Sequence, residues 1–290
     1  MKKPVFTGVC TALVTPFWAN EVNYPLAEVL LQRQMDAGIS AVVLAGTTGE
    51  APTLTDEEKL TLFARCKAYS GDACTIIAGT GSNCTAHTIA LSRAAEAVGA
   101  DALLVVSPYY NKATPEGLIA HYLSVAEAVN IPVIIYNVPG RTCTDIPVSV
   151  YHRLSLHPNI AGVKEASTDI TKIAEIRAVC GDDFVIWSGN DDQIVPCTAM
   201  GGKGIISVLS NVLPAETKIM ADAALSGDFT TASKMQCQLY PLIKALFSEV
   251  NPIPVKAAMD ILGFDCGGCR LPLCDISGKN LERLRILLNN

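Results

Sequence analysis

Chemistry in this sequence is best sought first at a lysine that closes an apolar run. Lys164 follows Ile160-Ala161-Gly162-Val163, so its amine emerges where a buried segment turns polar. Burial disfavours an ammonium relative to a neutral amine. A neutral amine can add to a carbonyl and form a Schiff base. Taken alone, the same run reads more economically as a strand whose last residue meets solvent and pairs with Glu165. Lys112 and Lys203 lie in polar or glycine-rich loops and are poorer nucleophiles. Tyr136 closes a second apolar run; its phenol can shuttle a proton as general acid and base, or simply fill a core. Thr47 and Thr48 stand between glycines, where hydroxyls and open backbone N–H groups suit a small carboxylate. An ordinary strand-to-helix turn has the same composition.

These residues need elements to position them. Short β-branched runs alternate with longer helical patterns along the chain. The sequence predicts strands at Val9–Val14, Ala41–Ala45, Thr75–Ala78, Ala102–Val106, Val133–Tyr136, Ile160–Lys164, Phe184–Ser188 and Gly204–Val208. They are nearly continuous in apolar residues, as parallel strands covered on both faces must be. Helices are predicted over Pro25–Ala37, Asp56–Tyr69, Ala86–Val98, Pro115–Val129 and Ile170–Val179. Thr55 ahead of three acids, and Thr114 ahead of Pro115, are helix-start signals. Eight strand–helix units fit a closed (β/α)8 TIM barrel. An open doubly wound sheet has the same alternation, but no Gly-x-Gly-x-x-Gly follows the first strand. Beyond Asn211 the strand pattern stops and helices follow near Pro214–Leu225, Thr230–Leu246, Pro254–Leu262 and Gly278–Leu288. The expected division is a catalytic barrel over residues 1–227 and a C-terminal helical region over 228–290.

In such a barrel the active site lies at the C-terminal ends of the strands. That rule selects Gly46-Thr47-Thr48-Gly49-Glu50, Gly79-Thr80-Gly81, Ser107-Pro108-Tyr109-Tyr110-Asn111, the segment Tyr136–Thr142, Lys164-Glu165-Ala166-Ser167 and Gly189-Asn190-Asp191-Asp192. Gly201-Gly202-Lys203-Gly204 resembles a phosphate loop but precedes its strand, so helix termination is its expected role.

Composition narrows the function. With 50% hydrophobic and 17% charged residues, the 290-residue chain can bury a large core. A net charge of -6 without a basic stripe argues against nucleic acid. No run is long and apolar enough for a bilayer span. Lys2-Lys3 ahead of an apolar stretch has the look of an export signal, but Thr7, Thr11, Thr15 and Pro16 interrupt it; a cytoplasmic protein is expected. Eleven scattered cysteines read as free thiols. Cys266, Cys269 and Cys274 lack a fourth zinc ligand, which leaves a redox pair as the sharper alternative. The four histidines, His87, His121, His152 and His157, show no ligand spacing, and no metal is expected. A nucleophile elbow is absent.

The strand-end segments Gly46–Glu50, Pro108–Asn111, Tyr136–Thr142 and Gly162–Ser167, taken together, resemble the dihydrodipicolinate synthase / N-acetylneuraminate lyase family, in order and over essentially the whole chain. The resemblance implies a homotetrameric barrel in which Lys164 forms an imine with pyruvate and Tyr136 moves protons on the intermediate. It implies that Thr47 relays protons between Tyr136 and Tyr110, the latter supplied by a neighbouring subunit. Thr48 would hold the pyruvate carboxylate, Ile206 would line the site by its backbone, and Gly189 would lie near the second substrate. Arg141 suits the carboxylate of L-aspartate 4-semialdehyde. Together with Thr47, where sugar-acid lyases usually carry serine, it favours the synthase branch, on the route to diaminopimelate and lysine. No metal or organic cofactor is implied, because the lysine is itself the electron sink. Relatives inhibited by lysine place histidines where this chain has Asp56 and Lys59, and a glutamate at His87, while Asn83 and Tyr109 match; weak or absent feedback by lysine is expected. The alternatives are another 2-oxo acid aldolase of the family, such as a sugar-acid or hydroxy-oxoglutarate lyase, and a non-catalytic 2-oxo acid binder. The intact Lys164, Tyr136, Thr47 and Tyr110 set opposes the second.

Overall fold

A computed structural model describes residues 3–289. Eight parallel strands close into a barrel: β1 Gly8–Ala12, β2 Ala41–Leu44, β3 Thr75–Gly79, β4 Ala102–Val106, β5 Val133–Asn137, β6 Ile160–Glu165, β7 Val185–Ser188 and β8 Gly204–Ser207. Each pairs with its sequence neighbours, and β1 pairs with both β2 and β8. The expected (β/α)8 TIM barrel is therefore the fold, with C-terminal helices beyond it. The strands read as continuous apolar runs because side chains on both faces are covered: one set by the barrel interior, the other by the helical layer.

Several short elements escaped the sequence reading. A two-stranded antiparallel ribbon, Phe17–Trp18 with Glu21–Val22, follows β1, which ends at Ala12. Short helices at Val148–Ser155 and Ile194–Ala199 precede β6 and β8. Eight- and six-residue helices carry too few turns to show a helical apolar period. Elsewhere the local signals act as expected. Thr55 accepts from the Glu58 N–H while Glu58 accepts from the Thr55 N–H, a reciprocal cap on the helix Asp56–Ser70.

Alternation along the strands sends one set of residues inward. Cys10, Val43, Ile77, Leu104, Ile134, Tyr136, Val185, Trp187 and Ile206 form the interior cluster. Phe6 stacks on Trp187 at 5.0 Å, and the indole N–H donates to the Phe6 carbonyl at 3.2 Å. The pairing of β5 with β6 shifts register between Val133 and Ile134 and then runs Ile134 to Gly162, Tyr136 to Lys164 and Asn137 to Glu165. Gly162 is required there, since a Cβ would lie 1.9 Å from the Val185 carbonyl oxygen. Its missing side chain lets β7 approach β6 two residues before Lys164.

The C-terminal helices Phe229–Leu246, Ile253–Ile261 and Gly278–Leu288 are tied back to the barrel. The fully buried Glu50 pairs with Lys256 at 2.9 Å and also accepts from the Arg270 N–H at 2.9 Å. Lys256 donates again to the Gly268 carbonyl and sits over the Phe17 ring at 4.1 Å. Arg270 grips Glu58 with two N–H groups and lies 4.4 Å from the same ring. A buried carboxylate is tolerable only when its oxygens are so occupied, and here the partners come from sequence positions more than 200 residues away.

Among the described residues no helix is long and apolar enough to cross a membrane, and no cluster of His, Cys, Asp or Glu has the arrangement of a metal site. Burial pushes the thiols of Cys266 and Cys269 up to about 12. Reactive pairs need the thiolate, so this environment opposes the redox reading of the two cysteines.

Candidate active site

The site grows from the ends of β5 and β6. Tyr136 and Lys164 are register partners on adjacent strands, both facing inward and 6% and 5% exposed. The Lys164 amine lies 4.4 Å from the centre of the Tyr136 ring. The sequence alone left Lys164 open to a solvent-exposed reading. The structure buries it inside the barrel mouth, and Glu165 points to the opposite face of the strand, where it hydrogen-bonds Asn137 and Tyr151. Lys164 is thus not occupied by its neighbour in sequence.

Gly189 closes the far side. A Cβ at this position would lie 3.1 Å from Cε of Lys164 and 2.6 Å from Cβ of Ala166. Its N–H donates to the Glu165 carbonyl at 2.7 Å, which locks β7 to the strand carrying the lysine. Ile206 is fully buried in the same interior, paired in register with Cys10. Burial pushes the Cys10 thiol well above its ordinary value, Cys74 adds to this, and the Lys164 charge pulls the other way. Asp191 is buried as well. Desolvation raises its carboxyl, while the Ser207 hydroxyl at 2.6 Å and the Val208 and Leu209 N–H groups at 3.0 Å oppose the rise. By accepting these bonds Asp191 fixes the chain just beyond Ile206.

Thr47 is half-buried and Thr48 buried in the turn after β2. The turn is held by the Thr15 hydroxyl donating to the Gly49 carbonyl at 2.8 Å. Sequence reasoning missed Asn251, which joins two of the predicted residues. Its side-chain N–H donates to the Thr48 hydroxyl at 3.0 Å, and its backbone carbonyl accepts from the Arg141 guanidinium at 3.2 Å. Its own Oδ1 is buried with no hydrogen-bond partner. Asn251 opens the segment leading into Ile253–Ile261, far from any strand end, so a search restricted to strand ends could not find it.

Arg141 lies in the short helix Pro139–Thr142 and stays exposed at the mouth. Tyr110 is not gathered into the site of its own chain. It is 89% exposed with φ of 73° in the segment after β4. A tyrosine held in a left-handed backbone conformation with its ring in solvent is oriented outward. Buried amine, adjacent phenol, threonine hydroxyls and a peripheral guanidinium form a set suited to imine chemistry on a small oxo acid.

Comparison with known proteins adds an independent line. The sequence profile of the dihydrodipicolinate synthetase family matches residues 5–290. The chain belongs to that family. It is 48% identical over 287 residues to the 4-hydroxy-tetrahydrodipicolinate synthase of Thermoanaerobacter pseudethanolicus, covering 99% of this chain and 97% of that one. The dihydrodipicolinate synthase of Aquifex aeolicus superposes with a TM-score of 0.96 at 43% identity, over 98% and 97% of the two chains. The chloride-inhibited enzyme of Acinetobacter baumannii, solved in complex with pyruvate, superposes with a TM-score of 0.95 at 37% identity, over 98% of each chain.

Asn251→Ala removes the donor to Thr48 and keeps the carbonyl that anchors Arg141. Loss of one buried bond of this kind is worth about 1 kcal/mol. Without that donor the Thr48 hydroxyl is no longer held in one orientation, so the KM for a small carboxylate should rise, by up to about fivefold if all of that energy is felt on binding, and the melting temperature should fall by a few degrees. An unaltered affinity would show that the bond has no share in the site.

Proposed function

We propose that the chain condenses pyruvate with L-aspartate 4-semialdehyde to 4-hydroxy-tetrahydrodipicolinate, on the route to diaminopimelate and lysine. The observation that carries this reading is the Lys164 amine buried in the barrel mouth, 4.4 Å from the Tyr136 ring. The activity named for the relatives agrees with it.

The Lys164 amine adds to C2 of pyruvate and water leaves, giving an imine. Tyr136 returns a proton to the departing hydroxyl and then takes one from the pyruvate methyl group. The resulting enamine carbon attacks the aldehyde carbon of the second substrate, whose oxygen takes the proton that Tyr136 had removed from the methyl group. The amino group of that substrate then adds to the imine carbon, closing the ring and releasing Lys164 with its proton. Thr48 and the backbone of its glycine-flanked turn hold the pyruvate carboxylate, and Thr47 links the Tyr136 phenol to a further hydroxyl. That hydroxyl is Tyr110 of a second copy, in a homotetramer: the 89% exposure of Tyr110 in one chain fits a residue placed to serve another. Arg141 takes the carboxylate of the semialdehyde at the mouth, with Gly189 leaving room beside Lys164 and the Ile206 backbone lining the wall. The imine draws electrons from the methyl carbon, so no metal or organic cofactor enters the scheme.

A substrate panel tests the choice of second substrate. With pyruvate fixed, turnover is expected with L-aspartate 4-semialdehyde and not with N-acetylmannosamine or glyoxylate. Arg141→Ala should raise the KM for the semialdehyde by roughly tenfold or more, the worth of a charge-assisted pair of about 1.5–3 kcal/mol, while leaving that for pyruvate nearly constant. Turnover with the sugar and none with the semialdehyde would overturn the reading.

Regulation follows from Asp56. Burial raises its carboxyl, but the His87 contact at 2.7 Å and the Lys59 charge at 3.4 Å outweigh this and hold it below the usual carboxylate range. Two basic side chains thus already occupy Asp56, and the amine of a free lysine would be repelled by Lys59. Inhibition curves in lysine should stay flat through the sub-millimolar range; a steep loss of rate there would contradict this.

A further inference from the structure

Behind the Tyr136–Lys164 pair, on the opposite face of the same two strands, a second register pair is buried completely. Asn137 and Glu165 are 0% and 2% exposed. The outer face of a barrel strand normally carries aliphatic residues that pack against helices. Here an amide and a carboxylate take that place, and their bonding is saturated. The Asn137 side-chain N–H donates to both Glu165 oxygens, at 2.9 and 3.1 Å, and to Asp145 at 2.9 Å, while its Oδ1 accepts from the Ile146 N–H at 3.1 Å. Glu165 further accepts from the Ser167 N–H at 2.8 Å and from the Tyr151 hydroxyl at 3.2 Å. Asp145 is in turn bonded by Lys172, whose amine sits 5.8 Å from the Tyr151 ring. Burial and the Glu165 charge push the Tyr151 phenol well above its ordinary value, so it remains a donor.

Two consequences separate this arrangement from ordinary packing. An apolar pair would permit β5 and β6 small relative shifts, whereas an amide set against both oxygens of a carboxylate fixes one alignment. The same carboxylate also pins the backbone at Ser167, and the same amide pins it at Ile146, so the segments leaving both strands are set by the one contact. We propose that Asn137 and Glu165 are positioning residues that hold the reactive alignment of Tyr136 against Lys164. Neither touches substrate; each acts through its neighbour in sequence. The inference rests on the imine reading of Lys164.

The test compares wild type, Glu165→Gln and Asn137→Ser. The Glu165→Gln variant keeps the shape but sets an amide against the Asn137 amide; the Asn137→Ser variant leaves the carboxylate and its Tyr151 and Ser167 donors intact. The readouts are the rate of pyruvate adduct formation by quenched borohydride trapping, kcat and KM for both substrates, and the melting temperature. A misplacement of reacting groups costs rate and not binding, so trapping rate and kcat should fall together by about tenfold or more while both KM values move by less than about threefold. If Glu165→Gln yields no folded protein, Asn137→Ser carries the same comparison. Folded variants with the wild-type trapping rate and kcat would overturn the positioning role. So would a loss confined to melting temperature. An absent wild-type adduct removes the imine reading, and this role with it; a normal wild-type adduct with equally fast variants removes this role alone.

Discussion

The alignment of two neighbouring strands decides which side chains meet in the barrel mouth. In a closed parallel barrel no strand can slide without disturbing both neighbours. The pairing of β5 with β6 therefore determines whether a phenol faces an amine or a void. Tyr136 meets Lys164 because the register shifts once, between Val133 and Ile134, and then holds to the strand ends. Gly162 permits it by letting the Val185 carbonyl approach to where a Cβ would clash. A one-residue slip would turn Lys164 out toward the helices and Glu165 in toward the pocket, since side chains alternate along a strand.

Burial then encloses the amine. Water is kept from Lys164 by Tyr136, Trp187 and the interior layer beneath them. The nearby carboxylates are occupied: Asp191 by donors at the end of β8 and just beyond it, and Glu165 by Asn137, Ser167 and Tyr151 on the other face. The C-terminal region contributes by a different route. The Glu50–Lys256 pair clamps it over the turn that carries Thr47 and Thr48, and Asn251 reaches from it to Thr48 and Arg141. That region thus furnishes part of the mouth as well as packing against the barrel.

Much of this was legible in the residues. Continuous apolar runs gave the eight strands within a residue or two, because burial on both faces marks them; closure into a barrel rather than an open sheet was favoured by the missing Gly-x-Gly-x-x-Gly and by the family resemblance. Lys164 and Tyr136 were legible as strand-end residues. Their proximity was expected from neighbouring strand ends and the family resemblance; the exact register that sets Tyr136 against Lys164 is encoded by no local signal. Asn251 was invisible for a related reason: its role arises from a chain return of some 200 residues to Thr48. The short helices at Val148–Ser155 and Ile194–Ala199 lacked enough turns to show a period, and Tyr110 reads in a single chain only as an exposed ring.

The most direct test of the account is where pyruvate becomes attached. Borohydride reduction in the presence of pyruvate, followed by peptide mass mapping, should place a single pyruvyl adduct on the peptide containing Lys164, and Lys164→Ala should abolish it. An adduct on another lysine, or none on a folded and active protein, would contradict the account.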